Sequence, residues 1–326
     1  MDRVLIAPAT LVGVEAEFLS VLKKAGFELV FPKKRAQLTE QQLFEQLAGI
    51  RASMAGSEPY TRNVLQAHPQ LRVIARAGVG YDAVDTAAAT EFGMAVTITP
   101  GTNQDAVAEH TFALILALAK NLVAQHVETC ALKWPRQANL PLRGRTLGIA
   151  GLGRIGKAVA LRGECFGMRL LAYEPFPDHA FANQHDVNFV PFEQLLAESD
   201  FLTLHLPATN ESRHLINRQT LAKMKPSAYL VNTARGTLVN EADLVDALQS
   251  KKIAGAGIDV FEDEPPADGP LFHMSNVVVT PHAAGIDVQA RNDMALSAAQ
   301  AIVSLAKGDW PAEKIVNPDV KPIFRW

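Results

Sequence analysis

The sequence predicts an α/β protein with parallel sheet, in a chain with room for two domains. Three observations carry this. Short apolar runs alternate with helix-forming stretches, the β-α-β-α order that produces a parallel sheet. The second half of the chain repeats that alternation more strongly than the first. At 326 residues the chain has room for two domains of ordinary size.

The elements follow in order. Val4–Ile6 reads as a strand, and Val12–Lys24 as a helix that stops before Gly26. Phe27–Phe31 and Leu71–Ala75 read as strands, the latter followed by the turn-rich Ala-Gly-Val-Gly at 77–80. The most apolar stretch, Ala106–Ala119, contains Glu109 and His110; it is too short to span a bilayer and reads as a buried helix. Strands are then expected at Thr146–Ala150, Arg169–Tyr173, Phe201–Leu206, Tyr229–Asn232, Gly257–Val260 and Val277–Thr280. Between them lie helical stretches such as Lys157–Glu164 and Ala242–Gln249, the latter with Asn240 as N-cap and Glu241 and Asp243 in its first turn. Asp287–Ala306 is a long helix candidate.

Composition excludes several function classes. A hydrophobic content of 48% with 20% charged residues is globular. A net charge of -3 gives no reason to expect nucleic acid or an anionic membrane as partner. Two cysteines, Cys130 and Cys165, suit a reducing compartment and offer no metal-ligand spacing, so no metal site is expected. The apolar run at the N-terminus is too short for a signal peptide. A cytoplasmic protein is the expectation.

The chemistry sits at strand ends. His282 follows the run Val277-Val-Val-Thr-Pro, so it lies on a loop just past a buried strand, where open α/β sheets place their ligands. Arg235 and Glu264 follow two other strand-like runs. An arginine, a glutamate and a histidine delivered in this way have the parts of a carboxylate-binding acid/base site. Gly-Leu-Gly-Arg-Ile-Gly at 151–156 matches the dinucleotide-binding fingerprint and has its required setting, a strand before and a helix after. Gly151 permits the tight turn, Gly153 lets backbone approach a pyrophosphate, and Gly156 lets the helix pack close to the strand. The next strand ends at Glu174, a carboxylate suited to ribose hydroxyls and repulsive to a 2′-phosphate. Residues 175–178 add no cation, so NAD is expected over NADP.

Together these segments resemble the D-isomer-specific 2-hydroxyacid dehydrogenase family, which includes phosphoglycerate dehydrogenase. The resemblance rests on Ala-Arg-Ala-Gly-Val-Gly-Tyr-Asp at 75–82, Ala-Val-Ala-Glu-His-Thr at 106–111, the glycine motif, and Leu-His-Leu-Pro at 204–207. It continues through Asn-Thr-Ala-Arg-Gly at 232–236, Ile-Asp-Val-Phe-Glu-Asp-Glu-Pro at 258–265 and Thr-Pro-His-Ala-Ala-Gly at 280–285. The resemblance implies that Arg235 binds the substrate carboxylate and carbonyl, which a planar, permanently charged guanidinium suits. It implies that His282 is the acid/base, and that Glu264 orients its ring and favours its protonated form. By the same match Gly78 and Val79 offer backbone N–H groups to the substrate carboxylate, with Arg76 beside them. Arg154 and Ile155 belong to the pyrophosphate turn. Leu206, Pro207, Thr233, Ala234, Asp259 and Gly285 match further cofactor contacts, Asp259 near the nicotinamide amide. His110 and His205 read as packing residues, or as residues behind the site, and Cys165 as core.

The resemblance also implies architecture: two Rossmann-like or flavodoxin-like domains with an active-site cleft between them. A discontinuous substrate domain would take residues 1–100 plus 288–326, and an NAD-binding domain residues 101–287. Helices near 103–120 and 288–306 would cross between them. A homodimer is expected, with Trp134 in the contact. The expected reaction is hydride transfer between NAD(H) and a small 2-hydroxy or 2-keto acid such as glyoxylate or hydroxypyruvate. The segment at 52–57 lacks the arginine of many phosphoglycerate dehydrogenases, so 3-phosphoglycerate is the alternative. An NAD(H)-sensing, corepressor-like binding protein is the alternative of another class. A formate dehydrogenase would carry glutamine in place of Glu264.

Overall fold

The computed structural model describes residues 1–33 and 35–326. The chain divides into two compact units, Met1–Asn103 with Ile286–Trp326, and Gln104–Gly285.

The first unit contains β1 (Arg3–Ile6), α1 (Glu17–Lys24), β2 (Glu28–Val30), α2 (Glu40–Gln46), β3 (Ala52–Ala55), α3 (Arg62–Ala67), β4 (Val73–Arg76), α4 (Thr86–Glu91) and β5 (Ala95–Thr97). Its five strands are all parallel, in the order β2-β1-β3-β4-β5, so the winding direction reverses between β1 and β3. One face is covered by α1 and by the returning C-terminal helix, around Val4, Ile6, Phe18, Leu22 and Ile302. Leu5, Leu43, Tyr60 and Ile74 fill the other face.

The second unit begins with α5 (Gln104–Ala119) and α6 (Leu122–Cys130). It continues through β6 (Thr146–Ala150), α7 (Arg154–Cys165), β7 (Arg169–Tyr173), α8 (His179–Gln184), β8 (Val187–Phe189), α9 (Phe192–Glu198) and β9 (Phe201–Leu204). Then come α10 (Arg218–Leu221), β10 (Tyr229–Asn232), α11 (Glu241–Gln249), β11 (Gly255–Ile258) and β12 (Val277–Val279). Its seven parallel strands run β12-β11-β10-β9-β6-β7-β8, with the reversal between β6 and β9. Strands β6 and β9 are buried throughout, which is why they read as unbroken apolar runs. Helix α5 lies tight on the sheet: a Cβ added to Gly257 in β11 would stand 3.0 Å from Leu114 Cβ. Asn240 caps α11 by accepting from the Asp243 N–H. The chain then re-enters the first unit as α12 (Val288–Lys307), capped by Asp287.

The structure corrects several boundaries. Helix α1 starts at Glu17, not Val12, because Gly13 adopts φ +77°, outside the helical region. The strand expected at Gly257–Val260 runs two residues earlier, and β9 ends at Leu204, two residues short of the expected Leu206. Strands β3, β5 and β8 were not foreseen. Cys165, expected in the core, is exposed because it occupies the last turn of α7 on the outward side. Among the described residues no single helix is long and apolar enough to cross a membrane; α5 and α6 reach that length only together, across a 60° bend.

Candidate active site

In the second unit, the expected residues lie on the segments that follow β6, β7, β9, β10, β11 and β12, with Arg154, Ile155 and Gly156 in the first turn of α7. The glycine turn comes first. Gly151 has φ +96°, and a Cβ there would stand 2.7 Å from the His205 carbonyl oxygen, so the residue must be glycine on two counts. A Cβ at Gly156 would meet the Gly151 carbonyl at 2.0 Å, which is how α7 comes so close to the turn. Gly153 is the N-cap of α7, caps it with no side chain, and has open space where a Cβ would be. The first-turn N–H groups of α7, including those of Arg154 and Ile155, therefore face an approachable, side-chain-free corner with the positive end of the helix dipole behind it. That cradle fits a pyrophosphate, and among the described residues no group of acidic, histidine or cysteine side chains could hold a metal ion.

Glu174 closes the turn. The Leu152 N–H donates to its Oε2 at 2.8 Å and the Phe176 N–H to its Oε1 at 3.0 Å. Each carboxylate oxygen retains acceptor capacity for a ribose hydroxyl. Leu206 packs its Cδ2 over Gly151, and the Pro207 carbonyl accepts from the Ser212 hydroxyl at 2.7 Å. His205 donates its backbone N–H to the Ala150 carbonyl at 2.7 Å. Nε2 lies 3.0 Å from the Thr203 hydroxyl, Nδ1 is buried without a partner among the described residues, and burial pushes its pKa down to about 3.

The loop after β10 is shaped by Asn232, whose Oδ1 accepts from the Ala234 N–H at 3.1 Å and whose Nδ2 donates to the Arg235 carbonyl at 2.8 Å. Gly236 lets this loop rest against the loop after β11: a Cβ there would meet the Phe261 carbonyl carbon at 1.9 Å. The Phe261 N–H donates to Glu264 Oε1 at 3.0 Å, and Glu264 Oε2 stands 2.6 Å from His282 Nδ1. Burial raises the Glu264 pKa, but the bond and charge of His282, the Phe261 N–H and the charge of Arg235 outweigh it and hold the carboxyl below its ordinary range. Arg235, Glu264 and His282 are thus brought together.

His282 sits at φ +52°, a left-handed conformation uncommon outside glycine. Asp259 holds it there. Its carbonyl accepts the His282 N–H at 2.7 Å, and its fully buried carboxylate accepts from the Thr280 hydroxyl at 2.6 Å, the Ala283 N–H at 2.9 Å and the Ala284 N–H at 3.0 Å. Gly285 ends the unit. His110 falls behind the site, one of the two places the sequence allows it, whereas Thr111 and Thr280 carry no expected role. His110 Nε2 lies 3.0 Å from Thr280 Oγ1, and Thr111 Oγ1 lies 2.9 Å from Thr233 Oγ1. The pattern Glu-His-Thr at 109–111 was the only signal for two of them.

In the first unit, Arg76 ends β4 and commits its guanidinium to the turn beyond. Nε donates to the Gly80 carbonyl at 2.7 Å and Nη1 to the Ala55 carbonyl at 3.2 Å. Gly78 and Val79 lie within that braced turn, and the Gly78 carbonyl accepts from the Thr99 N–H at 3.0 Å. Glu58, 1% exposed, accepts from the Gly56 N–H at 2.6 Å; burial pushes its carboxyl up, against the lowering by backbone N–H groups and the charge of Arg76.

Comparison with known proteins identifies the family. The sequence profile of the D-isomer specific 2-hydroxyacid dehydrogenase NAD-binding domain matches residues 112–284. A glyoxylate reductase of Korarchaeum cryptofilum (strain OPF8) is 40% identical over 302 residues, 90% of this chain and 91% of that one. A D-3-phosphoglycerate dehydrogenase of Archaeoglobus fulgidus is 38% identical over 95% of this chain, which spans 59% of that longer relative. Among solved structures, D-lactate dehydrogenase from Aquifex aeolicus, complexed with NAD and lactic acid, aligns with a TM-score of 0.85 at 28% identity, covering 97% of this chain and 99% of that one.

Proposed function

The chain belongs to the D-isomer-specific 2-hydroxyacid dehydrogenases, NAD-dependent oxidoreductases, and from that premise we propose that it reduces a small, unphosphorylated 2-keto acid of the size of glyoxylate or hydroxypyruvate. The observation that carries the catalytic reading is the 2.6 Å pair of His282 Nδ1 and Glu264 Oε2 within the field of Arg235.

Bound NADH supplies the hydride. Arg235 pairs its planar fork with the substrate carboxylate and carbonyl oxygen, orienting the carbonyl and stabilising the negative charge that grows on it. Glu264 can only accept when ionised, so His282 carries a proton on Nδ1 and presents Nε2 to the substrate. His282 delivers the Nε2 proton to the carbonyl oxygen as the alkoxide forms, and Glu264 stabilises the imidazolium beforehand. Gly78 and Val79 offer N–H groups to the carboxylate. Gly151, Gly153, Arg154, Ile155 and Gly156 cradle the pyrophosphate, and Glu174 takes the adenosine ribose. Leu206, Pro207, Thr233, Ala234, Asp259 and Gly285 complete the cofactor side. In this reading residues 101–287 are the NAD-binding domain, and residues 1–100 with 288–326 the substrate domain.

The narrower substrate choice is supported by Arg76. Its Nε and Nη1 serve the carbonyls of Gly80 and Ala55, an arrangement that favours bracing the turn over gripping a substrate phosphate. The name of the Korarchaeum relative agrees. 3-Phosphoglycerate, favoured by the name of the Archaeoglobus relative, is the second reading.

A homodimer is supported by α6. It has no buried residue, yet carries Leu122, Val123 and Val127, and the stretch beyond it exposes Leu132 at 96% and Trp134 at 77%. Such contiguous exposed apolar side chains mark an interaction surface. Two free, exposed cysteines suit a reducing, cytoplasmic setting.

The test is NADH oxidation against glyoxylate, hydroxypyruvate, pyruvate, 2-ketobutyrate and phosphohydroxypyruvate. Preference for one of the unphosphorylated acids is expected. Preference for phosphohydroxypyruvate would favour the second reading, and NADH binding without turnover a cofactor sensor.

A further inference from the structure

We propose that His110 and Thr111, adjacent on α5, are positioning residues that hold the loops carrying His282 and Arg235 at their working separation. The proposal rests on the catalytic reading above for its kinetic consequences, but its structural core does not.

The two contacts reach different loops. His110 Nε2 stands 3.0 Å from the hydroxyl of Thr280, two residues before His282. Thr111 Oγ1 stands 2.9 Å from the hydroxyl of Thr233, two residues before Arg235. One helix turn therefore grips the ends of β10 and β12, which are not neighbours in the sheet, since β11 lies between them. Among the described residues no hydrogen-bonded strand ladder couples these two ends directly, so the helix supplies a coupling that the sheet lacks.

The direction of each bond follows from hydroxyl bookkeeping. A threonine hydroxyl has one proton to give. Thr280 gives its proton to Asp259 Oδ1 at 2.6 Å, so His110 must be the donor, with its proton on Nε2. The chain His110 Nε2–H to Thr280 O–H to Asp259 is a continuous relay of donors ending on a buried carboxylate. That carboxylate also holds the N–H groups of Ala283 and Ala284, the two residues that follow His282. Bonds in such a chain polarise and strengthen one another. Thr111 gives its proton to the Val107 carbonyl at 2.8 Å, so Thr233 is the donor in the second contact. The pair Thr111–Thr233 is buried, where losing a partner leaves an unsatisfied hydroxyl.

The helix is rigid enough to serve. Nine of its residues are buried, among them Phe112, Leu114, Ile115 and Leu118, and it is packed against β11 at Gly257. Its arrangement separates two functions. His110 acts through Thr280 and Asp259 on the acid/base, so its loss should slow proton delivery. Thr111 acts through Thr233 on the arginine loop, so its loss should weaken grip on the carboxylate.

The test uses four variants of the whole protein. His110→Ala should lower kcat for the preferred keto acid about 10- to 100-fold with its KM within about threefold, as expected when an acid/base is displaced rather than removed. His110→Gln, which keeps a donor, should recover most of that loss. Thr111→Val should raise the keto-acid KM about tenfold with kcat nearly unchanged, and Thr111→Ser should restore it. Amide hydrogen exchange gives a readout independent of turnover. Exchange should quicken about tenfold or more at 280–284 in His110→Ala and at 233–236 in Thr111→Val, each without the other. Uniform acceleration across the unit, or changes in thermal stability alone with kcat, KM and loop exchange unaltered, would overturn the proposal. An inactive unmodified protein whose variants still loosen their own loops would sink the enzymatic reading and leave the clamp standing.

Discussion

His282 Nδ1 and Glu264 Oε2 stand 2.6 Å apart, joined across loops whose strands, β11 and β12, are sheet neighbours. The charge-assisted bond fixes the ring's tautomer, and the left-handed backbone at His282 aims it. Glu264→Gln keeps an acceptor but removes the charge. It should lower kcat about 10- to 100-fold while leaving NADH affinity unchanged. A kcat equal to that of the unmodified enzyme would remove Glu264 from the mechanism.

The same pair sets an acid limit on stability. The folded carboxyl of Glu264 is held below its ordinary value of 4.5, so it contributes stability that is present above that value and is lost as pH falls through the folded one. The melting temperature of the unmodified protein should fall more steeply below pH 4.5 than that of Glu264→Gln. Parallel acid profiles would contradict the shift.

His205 predicts a second, higher window. Its buried ring is pushed down to about 3 from 6.5, so the folded chain resists a proton that the unfolded chain accepts. The contribution is complete above pH 6.5 and is lost progressively as pH falls toward 3. Replacing His205 by Gln should flatten the loss of melting temperature between pH 6.5 and 4. An unchanged slope would mean that the ring titrates as if exposed.

Much of this was legible in the sequence, and the failures have identifiable causes. Thr146–Ala150, Arg169–Tyr173 and Tyr229–Asn232 were read with the boundaries observed, because each is built around a short buried run that reads as apolar in the sequence. Strand β3 escaped because Ala-Ser-Met-Ala looks polar at Ser53, whose hydroxyl is in fact buried against Tyr60 at 2.7 Å. Edge strand β8 is three residues long and carries little pattern. The glycine motif announced itself through spacing. The roles of His110 and Thr111 did not, since their partners lie 170 and 122 residues away and no local signal marks a hydroxyl pair.

Glu174 should govern cofactor choice. Glu174→Ala should erode the preference for NAD over NADP and raise the KM for NAD about tenfold, since the Leu152 and Phe176 N–H groups also lose their acceptor. Equal NAD and NADP rates in the unmodified enzyme would defeat the assignment.

Trp134 should report assembly. Light scattering should give a dimer, and Trp134→Glu should shift it toward monomer by placing a charge in an apolar contact. A monodisperse monomer of the unmodified chain would defeat the dimer.

The most direct test of the account is the turnover of His282→Ala with NADH and the preferred keto acid. The account predicts a fall in kcat of roughly two to four orders of magnitude with NADH binding intact, as for loss of a positioned acid/base. Turnover at the rate of the unmodified enzyme would contradict it.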